Sequence, residues 1–81
     1  MLVNLRLFAV AKERAGRPMI ELELSEPATV ADLKRALAAA VPELAGLLPM
    51  IRIAVDSEYA EEDASIPVGA QLAAIPPVSG G

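Results

Sequence analysis

The segment with the most chemical potential is the last six residues, Pro76-Pro77-Val78-Ser79-Gly80-Gly81. Two prolines hold the backbone near polyproline geometry and offer no N–H to a sheet. They are expected to end the last strand and aim the final residues away from the body. Small residues come next. Gly80 and Gly81 have no Cβ, so this end of the chain can pass through a slot too narrow for a side chain. Its reactive group is the α-carboxylate of Gly81. A carboxylate is a poor acyl donor at neutral pH because oxide leaves badly. Converted to an acyl-adenylate, it can pass its acyl group to an amine, giving an amide, or to sulfur, giving a thiocarboxylate. A flexible, inert end is the plain alternative.

The rest of the composition narrows the chemistry. There is no Cys and no His, which removes thiolate nucleophiles, zinc clusters, disulfides and imidazole bases. No phosphate-cradling glycine loop is present, so a partner enzyme must supply any ATP site. Seven Lys and Arg stand against eleven Asp and Glu, a net charge of −4. An acidic chain is a poor ligand for nucleic acid. No run approaches the ~20 apolar residues of a membrane span, and the first residues lack the basic start and apolar stretch of a signal peptide. A cytoplasmic protein is expected. With 81 residues, 54% of them hydrophobic, the chain is expected to be one globular domain over residues 1–75 followed by an extended tail, 76–81.

Alternation and helical spacing indicate the elements that carry this tail. Val3, Leu5 and Leu7 alternate with Asn4 and Arg6, a strand of period two. Ala9 to Ala15 favours a helical turn that stops at Gly16 and Arg17-Pro18. Ile20, Leu22 and Leu24 alternate with Glu21 and Glu23, a second strand and the return arm of a hairpin. Thr29 is an N-cap with Asp32 three residues on, close to a capping box. Val30, Leu33, Leu37 and Val41 then form one stripe of an amphipathic helix that Pro42 stops. Residues 44–48 allow a turn of 3₁₀ or α structure. Ile51, Ile53 and Val55 mark a third strand, Tyr59-Ala60 a very short one, and Gln71 to Ile75 the last. Glu61-Glu62-Asp63 reads as a solvated loop.

The order β-β-α-β-(β)-β predicts an α+β domain. A mixed sheet of four to five strands carries one main helix on one face, the β-grasp or ubiquitin-like arrangement. The right-handed crossover rule suggests that the first strand and the strand after the helix run parallel. Strand parity also bears on the opposite face. If Leu5 and Leu7 face the helix, Phe8 faces away unless the strand has already ended. Ile75 faces away likewise. Either Phe8 tucks under the Ala9–Gly16 segment, or an apolar patch lies open beside the tail and marks a protein interface.

The chain resembles the small-subunit family of molybdopterin synthase, ubiquitin-like sulfur carriers of molybdenum cofactor biosynthesis. Phe8-Ala9 with Lys12-Glu13 and Gly16, Thr29-Val30-Ala31-Asp32-Leu33, Pro42-Glu43-Leu44 and above all Pro76-Pro77-Val78-Ser79-Gly80-Gly81 carry the resemblance. It implies that an adenylyltransferase resembling ubiquitin-activating enzymes uses ATP and Mg²⁺ to adenylate Gly81. A sulfur donor protein then makes the thiocarboxylate. The tail enters the large synthase subunit, where sulfur passes to cyclic pyranopterin monophosphate. Phe8, Ile75 and residues 76–80 would meet the partners. The synthase would be a heterotetramer whose large subunit holds the catalytic groups. This chain would not be catalytic on its own and would bind no cofactor or metal. Two departures stand out. Gly69-Ala70-Gln71-Leu72 replaces the family's common Gly-Asp-Glu-Val, and Asp56 stands where Asn is common. Two other functions share the same tail chemistry: a sulfur carrier for another, thiamine-like pathway, and a ubiquitin-like modifier joined to proteins through Gly81. A binding module with an inert tail is the remaining possibility.

Overall fold

A computed structural model describes residues 1–77. The chain forms β1 (Leu2–Leu7), α1 (Ala9–Ala15), β2 (Met19–Glu23), α2 (Val30–Ala40), two 3₁₀ turns (Pro42–Leu44 and Leu48–Met50), β3 (Arg52–Val55), β4 (Glu58–Ala60) and β5 (Leu72–Ile75). The five strands make one sheet in the order β2-β1-β5-β3-β4. α2 lies across one face. This is the β-grasp arrangement.

The helix face is built as the alternation requires. Val3, Leu5 and Leu7 of β1, Ile20 and Leu22 of β2, Ile53 of β3 and Leu72 and Ala74 of β5 are all buried. They meet Val30, Leu33 and Leu37 of α2, with Leu44 and Ile51 closing the end. No polar side chain is buried among the described residues, so this core needs no internal hydrogen-bond network.

α2 starts where it does because its first donors find acceptors. Val30 N–H donates to Ala64 O at 3.0 Å and Ala31 N–H to Glu62 O at 2.9 Å. Asp32 N–H donates to Thr29 Oγ1 at 3.3 Å, and Thr29 N–H to Asp32 Oδ2 at 2.9 Å. The expected capping box is therefore present. The acidic loop is exposed as anticipated, but it also straps the helix start. Lys34 Nζ reaches Glu62 Oε1 at 3.3 Å.

Three expectations change. α1 is longer than one turn, seven residues ending at Gly16 in the left-handed region at φ 77°. Strand direction differs as well. β1 runs parallel to β5, and β5 runs antiparallel to β3, so β1 and β3 oppose each other. The crossover rule concerns the strands that flank the helix, β2 and β3. Those two do run the same way, because β2 is antiparallel to β1. The third change concerns the prolines. Pro76 is buried and only Pro77 is exposed, so packing continues one residue past β5.

Two tight turns hold the departures noted in the sequence. Asp56 and Ser57 join β3 to β4 with φ of 50° and 73°, the two-residue hairpin of type I′ that strand twist favours. Asp56 N–H donates to Gln71 O at 2.8 Å, and Gln71 N–H donates to Asp56 Oδ1 at 2.9 Å. Asp56 is thus a turn residue that closes the hairpin onto the start of β5. Gly69, at φ 81°, serves the turn before β5, where Ala70 N–H donates to Pro67 O at 3.2 Å.

Candidate functional site

The face of the sheet without a helix carries a different set of side chains. Register places them in rows across the strands. Met19 on β2 lies opposite Arg6 on β1, Arg6 beside Ala73 on β5, Ala73 opposite Ala54 on β3, and Ala54 opposite Tyr59 on β4. One step nearer the tail, Ile75 lies opposite Arg52. Phe8 follows Leu7, whose neighbour on β5 is Ala74, so Phe8 sits level with Ile75.

Phe8 is the N-cap of α1 and still extended, with φ −125° and ψ 156°. It therefore keeps the outward parity of a strand residue. The chain turns only at Ala9, where φ is +50°. Phe8 remains 41% exposed and does not tuck beneath α1. Of the two readings open in the sequence, the apolar patch is the one realised. Ile75 is half-buried.

Three further side chains complete the patch, none of them among the residues singled out by sequence. Met19 is 42% exposed and Tyr59 57%. Arg52 lies over the Tyr59 ring, its guanidinium carbon 4.3 Å from the centroid, a cation–π contact. Ala54 is buried on this same face. Met19 was legible from its parity, opposite to that of Ile20 and Leu22, and Tyr59 as the chain's one Tyr. Their convergence needed the strand order. Together with Phe8 and Ile75 they line a shallow depression of about 700 Å³. It is broad and open, suited to a protein surface, not to a small molecule enclosed on all sides.

The sequence-predicted site residues fall into two groups. Phe8 and Ile75 meet on the open face, at the end from which the tail departs. Pro76 is buried and Pro77 exposed. Val78, Ser79, Gly80 and Gly81 lie outside the described residues. Ala70 and Gln71 also line the depression, at its far end. Among the described residues no helix is long and apolar enough to cross a membrane.

One ionisable group is clearly displaced. Asp32 is held below its ordinary carboxylate range, first by the Thr29 backbone N–H, then by the Thr29 hydroxyl and by Arg35. Arg35 pairs directly with it. Asp32 caps α2 on the covered side of the sheet, so this displacement belongs to the scaffold and not to the patch.

Known proteins share this fold. The ThiS family matches residues 5–81. The molybdopterin synthase sulfur carrier subunit of Dictyostelium discoideum is 36% identical over 78 residues, covering 93% of this chain and 91% of that protein. Its counterpart in Arabidopsis thaliana is 30% identical over 79 residues, covering 98% and 82%. The crystal structure of SAMP1 from Haloferax volcanii superposes over 100% of both chains with a TM-score of 0.88 at 30% identity.

Proposed function

The chain belongs to the ThiS family, and on that premise we propose that it is a sulfur carrier of the molybdopterin synthase type, with the Gly81 carboxyl as the carrying group. One observation supports this most. The family match reaches through Pro76-Pro77-Val78-Ser79-Gly80-Gly81, the segment whose chemistry suits activation and narrow threading.

Each step of the chemistry balances. The Gly81 carboxylate attacks the α-phosphorus of ATP, held with Mg²⁺ by a ubiquitin-activating-like adenylyltransferase. Pyrophosphate leaves and an acyl-adenylate forms. Hydrosulfide supplied by a sulfur donor protein attacks the acyl carbon, the C–O bond to AMP breaks with AMP as the leaving group, and a thiocarboxylate remains. The tail then enters the large synthase subunit, where the thiocarboxylate sulfur bonds to a carbon of cyclic pyranopterin monophosphate in place of a carbon–oxygen bond, and water cleaves the resulting thioester, leaving sulfur on the pterin and a carboxylate on Gly81. This chain contributes a slim acyl group and a rigid handle. Gly80 and Gly81 fit a slot closed to side chains. Phe8 and Ile75, level with each other at the tail's root, offer apolar area that a partner can bury at ~25 cal/mol per Å². Pro77 stiffens the exit.

The test is an intact-mass measurement. The purified chain is incubated with ATP, the activating enzyme and a sulfur source. A mass gain equal to one oxygen exchanged for sulfur, localised to Gly81, is the expected result. No gain overturns the proposal. Turnover of cyclic pyranopterin monophosphate with the large subunit separates this role from a carrier for another pathway. A second reading rests on the likeness to SAMP1, of a kind called small archaeal modifier protein. In that reading the activated Gly81 acylates lysines, and a ladder of conjugates replaces the mass gain.

A further inference from the structure

The charges on the open face are sorted along the strands. Four charged residues project from it: Arg6 on β1, Arg52 on β3, Glu21 and Glu23 on β2. The register fixes their heights. Arg52 lies level with Ile75, at the root of the tail, and Arg6 one row further in, level with Met19 and Ala73. Glu21 lies opposite Asn4 and Glu23 opposite Leu2, in the two rows furthest from the tail. Within the strands both cations therefore stand at the tail end and both carboxylates at the other; Glu61, one residue past β4 and level with Arg52 by continuation of the register, adds a carboxylate at the outer edge of the tail end but makes no ion pair with Arg52. Lys12 adds a third cation at the tail end, where it lines a small hollow with Arg6, Phe8 and Met19. The chain as a whole has a net charge of −4, so the tail end runs against the average.

None of these three cations has a carboxylate within ion-pair distance among the described residues. The ion pairs there involve the N-terminus with Glu23, Lys34 with Glu62, and Arg35 with Asp32. Arg52 is held instead over Tyr59, which fixes its position without neutralising it. The apolar centre made by Phe8, Met19 and Ile75 is thus rimmed by three positive charges that make no ion pair. A like-charged surface would be repelled from it, and a neutral apolar one would leave the rim unpaired.

We propose that the tail end of the open face receives a protein partner presenting an apolar segment flanked by carboxylates, and that this charge pattern orients the tail toward the partner during encounter. The proposal rests on the carrier reading and adds the chemistry of the partner's surface. Fields of this kind act chiefly on the association rate and fade with salt.

The test measures association of the full chain with the large synthase subunit of the same organism by stopped flow, across ionic strength. At low salt, Arg6→Glu combined with Arg52→Glu is expected to slow association by about tenfold or more. The difference should shrink toward nothing near 1 M salt, where the screening length is ~3 Å. Arg35→Glu, on the helix side of the sheet, is the control. It should leave the rate within about twofold of the unaltered chain. Matching thermal midpoints establish that each variant is folded. An unchanged or faster rate for the double variant overturns the proposal. So does a slowing by Arg35→Glu as large as that by Arg52→Glu alone, the two changing net charge by the same amount, which would mean that net charge alone matters. Self-association of the unaltered chain, abolished by the double substitution, would assign the face to a second copy and also overturn it. Failure of the unaltered chain to bind the large subunit at all overturns the carrier reading instead, and this proposal with it.

Discussion

Phe8 divides between the scaffold and the open face of the sheet. Its backbone is extended and caps α1, while its ring stays 41% exposed. Replacing the ring therefore removes little from the core. Phe8→Asp is expected to move the thermal midpoint by no more than a few degrees. The same change places a carboxylate inside the proposed apolar interface. It should weaken partner binding at least thirtyfold, the effect of losing a central aromatic anchor of ~2 kcal/mol. Titration calorimetry and a melting curve on one preparation check both halves. Ile75 differs because it is half-buried, so its substitution would mix the two effects. Composition cannot distinguish these two residues. Each is an apolar side chain with outward parity, and only the depth of its neighbours sets them apart.

At the level of elements, α2 and the β3–β4 hairpin make separate predictions. Thr29 closes the capping box of α2, and Thr29→Ala is expected to cost ~1 kcal/mol, a fall in thermal midpoint of about 4–8 °C for a domain of this size. The partner of that cap carries a pH dependence. The Asp32 carboxyl is held below its ordinary value of 3.8. A depressed folded value means its contribution is present above the ordinary value and is lost as pH falls through the folded one. The stability gap between the unaltered chain and Asp32→Asn should therefore be full at neutral pH and close in acid, which urea titrations over pH can follow. The hairpin points the other way. Ser57 sits at φ 73°, where an L side chain costs ~1 kcal/mol and glycine is at ease. Ser57→Gly is expected to raise the melting midpoint by several degrees and leave sulfur loading unchanged.

For the whole molecule, the relevant fact is how little of it is spare. The core is one apolar layer between a five-stranded sheet and a single long helix. A domain of this length has a narrow stability margin. A partner that covers the open face should thus stabilise the fold by mass action. With partner at a hundred times its dissociation constant the gain is ~2.7 kcal/mol. Differential scanning fluorimetry should show the midpoint rising with partner concentration. For Phe8→Asp, bound thirtyfold more weakly, the gain at the same concentration should fall to ~0.9 kcal/mol or less.

The alternation of Val3, Leu5 and Leu7, the Thr29–Asp32 cap and the Leu33–Leu37 stripe were sufficient to define the elements, because each depends on neighbours within a few residues. The proposal for the Gly-Gly end rests on the same local kind of reason: lack of a Cβ is a property of the residue itself. Sequence could not bring Met19, Arg6, Tyr59 and Arg52 to one end of one face, since no local signal sets the order β2-β1-β5-β3-β4. Nor could it orient β1 against β3, or bury Pro76 while leaving Pro77 exposed. Those outcomes depend on pairings across most of the chain's length, such as Arg6 beside Ala73, and such contacts exist only once the separate elements have packed together.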